Sequence, residues 1–509
     1  MPDSPAVRAV LDGGGPAEFV EVDTGTVRYL VLAMPVTVGE QSGWYLAAAS
    51  MMPLEAARDA LVMRWAGFSI AVLGACILVC AVVAFGYVYG PVRIRRRDDD
   101  SGPLKVVVAE GFLSRLAFGL LSFSLPLYAW SMGMSLGGIG MLLATNTAVA
   151  VVLKPLMGRA IDRIGVRQAF VIAVALRTLV VLALVFASTP AHLFAARGLH
   201  GVSIALRDPS ASTVLAALGG KKAVAQRFAW YQTAKTVAGS SGQVGAGVLI
   251  TALAGNYAAV FTVATVLSAI PLLLVITGLR GPSVTGLVVP RPEKRAPLPA
   301  ALKASLAPYA LLGALMTGTA YLMSNLLPVL AVEHMGLPAA AASTMYAFTA
   351  VVALSGPVWG WVADRISLKL VLGVRAVGNI VSSLVWLVFP GYPGLIAGKV
   401  TDDVGKAAFR PAWGAVMARV SALDPPRRAQ TLALMSSAED LGELGAPVLA
   451  GVIWSTFGLP TLLITRTVAG LLAETYAWWL GSRGLLTDPD THPEPIPAGT
   501  AGTTNPTSR

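Results

Sequence analysis

Long apolar runs separated by short polar segments dominate the chain after residue 65. A helix needs about 17–25 mostly apolar residues to cross a bilayer. One such run precedes a basic segment, and two blocks of six follow, with a proline- and charge-rich break between them. The runs cover residues 66–90; 106–131, 137–157, 169–187, 191–217, 228–253 and 256–279; then 305–331, 339–359, 369–389, 394–420, 430–456 and 459–482. The pattern predicts an all-α membrane protein in which one extra N-terminal transmembrane helix precedes two six-helix bundles.

Residues 1–65 have a different pattern. Apolar and β-branched residues cluster at 19–22, 27–38 and 44–48, with turn residues between them, and a helical stretch at 53–65 runs into the first span. This order of short strands followed by a helix that enters the membrane resembles the membrane-proximal end of an extracytoplasmic Cache-type sensor. The resemblance implies a truncated sensor segment, and an untyped β-rich extension is the alternative.

The composition excludes an ordinary soluble enzyme. Hydrophobic residues make up 55% of the 509 positions and charged residues 13%, and the mean hydropathy is +0.69. Soluble domains carry about 45–50% apolar and about 25% charged residues. The only cysteines, Cys76 and Cys80, lie in one apolar run, and the four histidines are scattered. We therefore expect no disulfide framework, no metal site and no cofactor.

The net charge of +11 follows the positive-inside rule for membrane proteins. Four arginines at 93–97 follow the first span, which places that end in the cytoplasm and residues 1–65 outside. Alternating from there, every basic loop falls on the cytoplasmic side, and the predicted outer loops contain no lysine or arginine. The charge therefore reflects topology in a cell membrane rather than nucleic-acid binding, and it places the C-terminus in the cytoplasm.

The expected organisation follows from these boundaries. It consists of an extracytoplasmic segment at 1–65, the extra span at 66–90, an N-terminal half at 105–280, a cytoplasmic linker at 281–304, a C-terminal half at 305–484 and a disordered tail at 485–509.

The two halves match each other at a constant offset of 202 residues. The offset relates Asp162 to Asp364 and Arg197 to Lys399, and it also relates three prolines of the first half to three of the second (Pro126/Pro328, Pro155/Pro357 and Pro209/Pro411). So many matches at a single offset indicate a duplicated six-helix unit. We interpret it as a parallel repeat about an axis along the membrane normal.

A loop motif occurs in both copies. Residues 158–167 read GRAIDRIGVR and residues 360–369 read GWVADRISLK. The first resembles the loop signature G-x-x-x-D-R-x-G-x-[RK] of the major facilitator superfamily, and the second is its copy with Ser367 in place of a glycine. The resemblance covers residues 105–484. It implies a gating role at the cytoplasmic loops for Gly158, Asp162, Arg163, Arg167, Gly360, Asp364, Arg365 and Lys369, and a solvated turn is the alternative.

The fourth helix of the first half carries a second resemblance. Residues 197–203 read RGLHGVS, similar to the family pattern R-x-x-Q-G-x-G, which in proton-coupled members places an arginine in the translocation path. An arginine in a span costs at least about 2.5–3.5 kcal/mol, so it should face a cavity or a partner. Arg197, His200 and Asp208 are therefore expected in the pathway, and a helix-bridging role for Arg197 is the alternative.

Small residues mark the fifth and eleventh helices. Residues 239–247 read GSSGQVGAG, where antiporters of the family carry G-P-x-x-G-G, and residues 445–451 read GAPVLAG. The resemblance points weakly to antiport, because close packing of small residues explains most of it.

The second half is rich in embedded charge. Charged residues fall on or near one stripe of the tenth helix, namely Lys399, Asp402, Asp403, Lys406 and Arg410, and Glu439, Asp440 and Glu443 begin the eleventh. Either these residues line a polar cavity and carry protons, or they form a fixed salt-bridge network. Further candidates for the pathway are Glu110 and Arg115 in the first helix of the bundle, Lys235 in the fifth, and Arg466 and Glu474 in the twelfth.

No phosphate loop, zinc-protease motif or serine elbow is present, so the sequence does not predict an enzyme. The resemblance implies a secondary active transporter that moves a small-molecule substrate by rocking two halves around a midplane site. Proton-coupled efflux by an antiporter is the first expectation, with protons and the lipid bilayer as partners and a monomer as the working form. Uptake, facilitated diffusion and a transporter-like receptor are the alternatives.

Overall fold

The computed structural model describes residues 18–23, 28–38, 41–50, 101–217, 224–279, 300–422 and 428–483. The chain divides into two units, Met1–Phe68 and Ser69–Arg509. The predicted span at 66–90, the helix expected at 53–65, the tail at 485–509 and most of the linker at 281–304 lie outside the described residues.

The first unit contains a three-stranded antiparallel sheet in the order β1-β2-β3, formed by Glu18–Asp23, Arg28–Val38 and Gln41–Ser50. Val22 and Val31 are buried against Val20 and Tyr29, which gives the sheet its small core. Pro35 lies in the central strand, where it pairs with Trp44 of β3 but extends past the end of β1. A proline is tolerated there because no β1 residue needs its missing N–H. The Cache-like resemblance of this segment stays a prediction.

The described part of the second unit contains twelve helices, one for each of the twelve apolar runs in the series that begins at residue 106. In chain order they are α1 (Ser101–Ser131), α2 (Leu136–Ile164), α3 (Val166–Val185), α4 (Pro190–Ala217), α5 (Val224–Ala252), α6 (Tyr257–Gly278), α7 (Ala300–Ser324), α8 (in three segments, Ala339–Ser343, Met345–Ala353 and Gly356–Arg365), α9 (Leu368–Val388), α10 (Tyr392–Ala422), and α11 and α12, which share the continuous stretch Arg428–Ser482. Gly458 divides α11 (428–457) from α12 (459–482), because its φ of 84° is readily adopted only by glycine.

Capping residues set several helix boundaries. Ser135 accepts a 3.1 Å hydrogen bond from the Gly138 N–H at the start of α2, and Asn256 caps α6 in the same way. Gly165, with a φ of 87°, lets the chain turn sharply between α2 and α3.

Two of the three matched proline pairs differ between the halves, while Pro209 and Pro411 of the third pair lie inside continuous helices. Pro126 and Pro155 lie inside the continuous helices α1 and α2. Their counterparts interrupt the second half: α7 ends at Ser324 before a short turn that contains Pro328, and the last segment of α8 begins beside Pro357. Proline removes one backbone hydrogen bond and clashes with the preceding turn. At these two prolines of the second half the helix is interrupted, which avoids the clash. A π-helical turn, Leu330–His334, extends α7 beyond the break.

Seven helical segments of the described chain are long and apolar enough to cross a membrane: Lys105–Ser131, Leu136–Lys154, Val166–Val185, Tyr257–Gly278, Ala304–His334, Leu370–Val388 and Leu434–Ser482. The last of these contains both α11 and α12. Helices α4 and α10 do not meet the same measure, since they carry several of the embedded charges.

The hydrophobic core shows how the two halves meet. One cluster contains residues of both halves, and Phe123 of α1 packs edge-on against Tyr346 of α8 within it, with 6.0 Å between ring centroids. It lies at the end of the bundle where α1 meets α2 and α11 meets α12, which we name the closed end. At the opposite end, named the open end, each half has a core of its own, around Phe170 in the first half and Leu372 in the second.

Glycine contacts hold the closed end together. A side chain at Gly140 of α2 would overlap the Pro447 carbonyl of α11, and one at Gly247 of α5 would overlap Ser343 of α8. The backbones of the two halves therefore touch directly. In addition, the Ala340 N–H donates a 3.1 Å hydrogen bond to Thr251 Oγ1.

Candidate functional site

The embedded charges fall into three groups: a cluster inside the first half, a network inside the second half, and side chains that face the space between the halves. We name that space the central cavity.

The cluster in the first half centres on Glu110 of α1 and Arg207 of α4. Arg207 Nη2 donates to Glu110 Oε2 at 2.6 Å and Arg207 Nε to Oε1 at 2.9 Å, a two-pronged pair whose side chains are 3% and 0% exposed. Ser114 and Tyr231 complete it with hydrogen bonds of 2.7 Å to Glu110 and 3.0 Å from Arg207. Glu110 was predicted as a pathway residue. In the described structure its carboxylate accepts hydrogen bonds from residues of its own half.

Asp208 lies beside this cluster but reaches the cavity. Its carboxylate is 3.3 Å from Arg207 Nη1, yet its side chain is 49% exposed. Lys235 of α5 lies over the ring of Tyr231, 5.0 Å from the centroid, in a cation–π arrangement.

Arg197 and His200 of α4 lie nearer the closed end. Arg197 donates to the Leu143 carbonyl at 2.7 Å, the Leu142 carbonyl at 3.3 Å and the Asn146 side chain, all on α2. These are the contacts of a helix-bridging arginine, so its predicted role in the pathway stays a prediction. His200 is buried 4.4 Å from the Phe118 ring.

The network in the second half centres on Asp402 of α10. It forms ion pairs with Arg466 of α12 at 2.6 Å, with Lys406 at 2.6 Å and with Arg375 of α9 at 3.4 Å. Arg466 also bonds the Thr319 carbonyl at 3.0 Å and polar groups of α9. Three cations surround one buried carboxylate, which is the arrangement of a buried ion-pair network, and the predicted pathway role of Asp402 stays a prediction.

Lys399 and Asp403 form a separate buried pair one helical turn apart. Thr349 of α8 joins it, since Lys399 Nζ donates to its hydroxyl at 2.8 Å and that hydroxyl donates to Asp403. Lys406 Nζ also donates to Ser324 Oγ at 2.6 Å and keeps 28% of its side chain exposed, so it borders the cavity.

The remaining charges face the central cavity from both halves. Arg115 of α1 and Arg410 of α10 are exposed, while Glu439 and Glu443 of α11 are partly buried. Arg115 interacts electrostatically with Arg410, Glu443 and Tyr321, all of the opposite half. The cavity therefore presents separate positive and negative groups.

One ion pair of the described chain joins the two halves: Lys154 Nζ of α2 lies 3.0 Å from Asp440 Oδ2 of α11. Asp440 was predicted from the sequence as a candidate pathway residue, and Lys154 was not. Three buried arginines were not predicted either, namely Arg177, Arg207 and Arg375. Each lies within an apolar run, where a charged side chain costs free energy.

The loop signature lies at the open end. Arg163 and Arg365 are exposed, and Arg167 of α3 donates to the Leu279 carbonyl at the end of α6. Gly360 packs near Pro411 of α10, where an added Cβ would lie 3.5 Å from the proline ring. The side chains of Asp162, Asp364 and Lys369 and the surroundings of Gly158 lie outside the described residues, so the gating role stays a prediction.

Two similar six-helix halves around a charged cavity define a helical membrane carrier. The sequence pattern of the Major Facilitator Superfamily matches residues 109–355 and 340–506, so the chain belongs to that superfamily. It is a multi-pass membrane transporter of a small solute and not an enzyme.

Solved structures share the fold. A bacterial homologue of the human lysosomal transporter Spinster, in an inward-facing and occupied conformation, is 14% identical with a TM-score of 0.63, and the match covers 76% of this chain and 98% of that one. The nucleoside transporter NupG is 14% identical (TM-score 0.62, 74% and 99% covered). The human organic anion transporter MFSD10 is 17% identical (TM-score 0.54, 75% and 100% covered). A comparison with curated proteins gives no match.

Proposed function

We propose that this transporter exports a small polar solute across the cell membrane in exchange for protons, by rocking its two halves around the central cavity. The observation that carries the proposal is the asymmetry of the bundle: one core shared by both halves at the closed end, and two separate cores at the open end. A carrier of two rigid halves alternates access by changing the end of the bundle at which the two halves are in contact.

The positions of basic residues support an inward-facing cavity. Arg163 and Arg365 lie at the open end, and basic residues favour the cytoplasmic side. In the described arrangement a solute would therefore enter from the cytoplasm, which is where an exporter collects its cargo.

Carboxylates at the cavity support proton coupling. Glu439, Asp440 and Glu443 lie within little more than one turn of α11, and all three are partly buried. Like charges this close repel one another, and taking up a proton at one of them removes the repulsion. Glu443 is our first choice for the proton carrier, because it is partly buried and lies within electrostatic range of Arg115 of the other half.

Proteoliposomes with an imposed pH gradient and a pH-sensitive dye test the proposal. A panel of polar solutes is added on one side, and we expect one of them to collapse the gradient in the wild type but not in Glu443→Gln. The matched control is Glu333→Gln, at an exposed position at the closed end.

Other results would identify the alternatives. Solute flux without proton movement would indicate facilitated diffusion, and solute and protons moving in the same direction would indicate uptake.

A further inference from the structure

The central cavity contains opposite charges that do not pair with each other. Arg115 and Arg410 are exposed, Glu439 and Glu443 are partly buried, and no ion pair within the part of the chain that the structure describes includes any of the four. Most buried charges elsewhere in the described part of the second unit are paired, as Asp402 with three cations shows, while Arg177 lies over the Phe118 ring instead. The cavity charges are therefore set apart from the structural networks.

Neighbouring groups hold these charges in place. Tyr321 of α7, on the second half, lies close enough to Glu443 to interact with its carboxylate. Gly239 of α5 makes room for Arg115: a Cβ at that position would lie 3.2 Å from Arg115 Nε and 3.3 Å from Cγ. The glycine thus lets the arginine side chain lie along α5, so the first half contributes Arg115 and the second half contributes Arg410 and both carboxylates.

Charges left unpaired at a cavity are available to a solute, and a solute that displaces their water must neutralise them to avoid the cost of burying an unpaired charge. A purely anionic solute would satisfy the arginines and leave the carboxylates, and a purely cationic solute would do the reverse. We propose that the solute is a zwitterion whose carboxylate binds Arg115 and Arg410 and whose ammonium group binds Glu439 and Glu443. A guanidinium matches a carboxylate through two parallel hydrogen bonds, and an ammonium group offers three donors to carboxylate oxygens.

The inference rests on the proposed function at one point. The ammonium group and the proton bind the same carboxylates, so they compete, as exchange of solute for protons requires. The carboxylate half of the solute makes its contact with Arg115, which belongs to the other half of the bundle, so a bound zwitterion bridges the two halves.

Equilibrium binding to the purified full-length chain tests the solute class without a pH gradient. The probes are three matched sets with both charges, the negative charge or the positive charge: β-alanine, propionate and propylamine; γ-aminobutyrate, butyrate and butylamine; glycylglycine, acetylglycylglycine and glycylglycinamide. Binding is measured by the shift of the thermal unfolding midpoint with concentration. We expect at least one zwitterion to bind about tenfold or more tightly than both of its singly charged partners.

Equal binding of an anion and its zwitterion would overturn the proposal in favour of an anion carrier. Equal binding of an amine would overturn it in favour of a cation carrier, and no shift with any of the nine probes would overturn it as well.

Variants assign the two ends of the solute. In Arg115→Ala the zwitterion should bind no better than the amine, and in Glu443→Gln no better than the acid. The controls Arg483→Ala and Glu333→Gln, at exposed positions away from the cavity, should retain the wild-type preference. Because no proton gradient is present, a failure of proton coupling would leave this selectivity intact, whereas coupling without selectivity would contradict only the zwitterion.

Discussion

Arg466 of α12 and Asp402 of α10 form a 2.6 Å ion pair in which the side chains are 0% and 2% exposed. The same guanidinium reaches α7 through the Thr319 carbonyl and α9 through Asn379 and Ser382. One arginine therefore joins four helices of the second half. A charge that is held this completely supports the rigidity of the half as it rocks.

We expect Asp402→Asn to destabilise the protein by about 3–5 kcal/mol, because it leaves the buried Arg375 and Arg466 and the partly exposed Lys406 without their carboxylate. Thermal unfolding in detergent measures the loss. Asp208→Asn, at the half-exposed carboxylate beside the cavity, should cost about 0–1 kcal/mol. A stable Asp402→Asn protein that fails to transport would instead assign Asp402 to the pathway.

The pair of Glu110 and Arg207 should behave as one unit. Glu110→Gln alone leaves a buried arginine unpaired and should cost about 3–5 kcal/mol. Adding Arg207→Gln removes the stranded charge, so the double variant should be more stable than the sum of the single effects predicts. A double-mutant cycle on unfolding free energies checks this, and additive effects would show that the two side chains are not coupled.

The ion pair of Lys154 and Asp440 should bias the conformational equilibrium rather than the stability. It joins the two halves, but its side chains are 36% and 22% exposed, so its removal is worth about 0–1 kcal/mol, or about fivefold at most. We expect Lys154→Ala to change the transport rate within that range and the exchanged pair, Lys154→Asp with Asp440→Lys, to restore it. The change should shrink at high salt, and a salt-independent change would contradict an electrostatic cause.

Glycine at position 247 should be needed for the closed end. In Gly247→Ala the added Cβ overlaps Ser343 and the Ala339 carbonyl, so the two halves should separate there at a cost of about 1–3 kcal/mol. Gly245→Ala is the matched control, since nothing lies within 4 Å of its Cβ position.

The measurement is labelling of Ser131→Cys at the closed end by a membrane-impermeant maleimide, with Cys76 and Cys80 replaced by serine. Faster labelling in Gly247→Ala alone is the expected result. Equal labelling in both alanine variants would argue against the backbone contact.

Hydropathy was enough to predict the helices, because spanning a bilayer fixes both their length and their composition. The run predicted at 459–482 agrees with α12, and the run at 369–389 is within one residue of α9 at each end. The interruptions of α7 and α8 were missed, since Pro155 and Pro357 look alike in the sequence and only the second breaks its helix. Packing against neighbours decides between a bent and a broken helix, and a single sequence does not contain that information.

The partners of the charges were harder to predict than their positions. Arg197 and Lys399 occupy equivalent positions in the repeat, yet Arg197 bonds to α2 and Lys399 pairs with Asp403 on its own helix. A duplicated helix keeps the position of a charge but not the neighbour that it meets. Arg177 and Arg375 could have been predicted as buried polar sites, because both lie within apolar runs.

The glycine contacts at the closed end form a smooth part of the interface between the two halves. At these glycines the backbone surfaces meet without interlocked side chains, so parting them there requires few rotamer changes. The groups that we propose to bind the cargo lie away from these contacts, Arg115 on α1 and Glu443 on another stretch of α11. Substitutions that change the solute selectivity therefore need not alter the interface between the two halves. One helical framework can in this way serve many solutes.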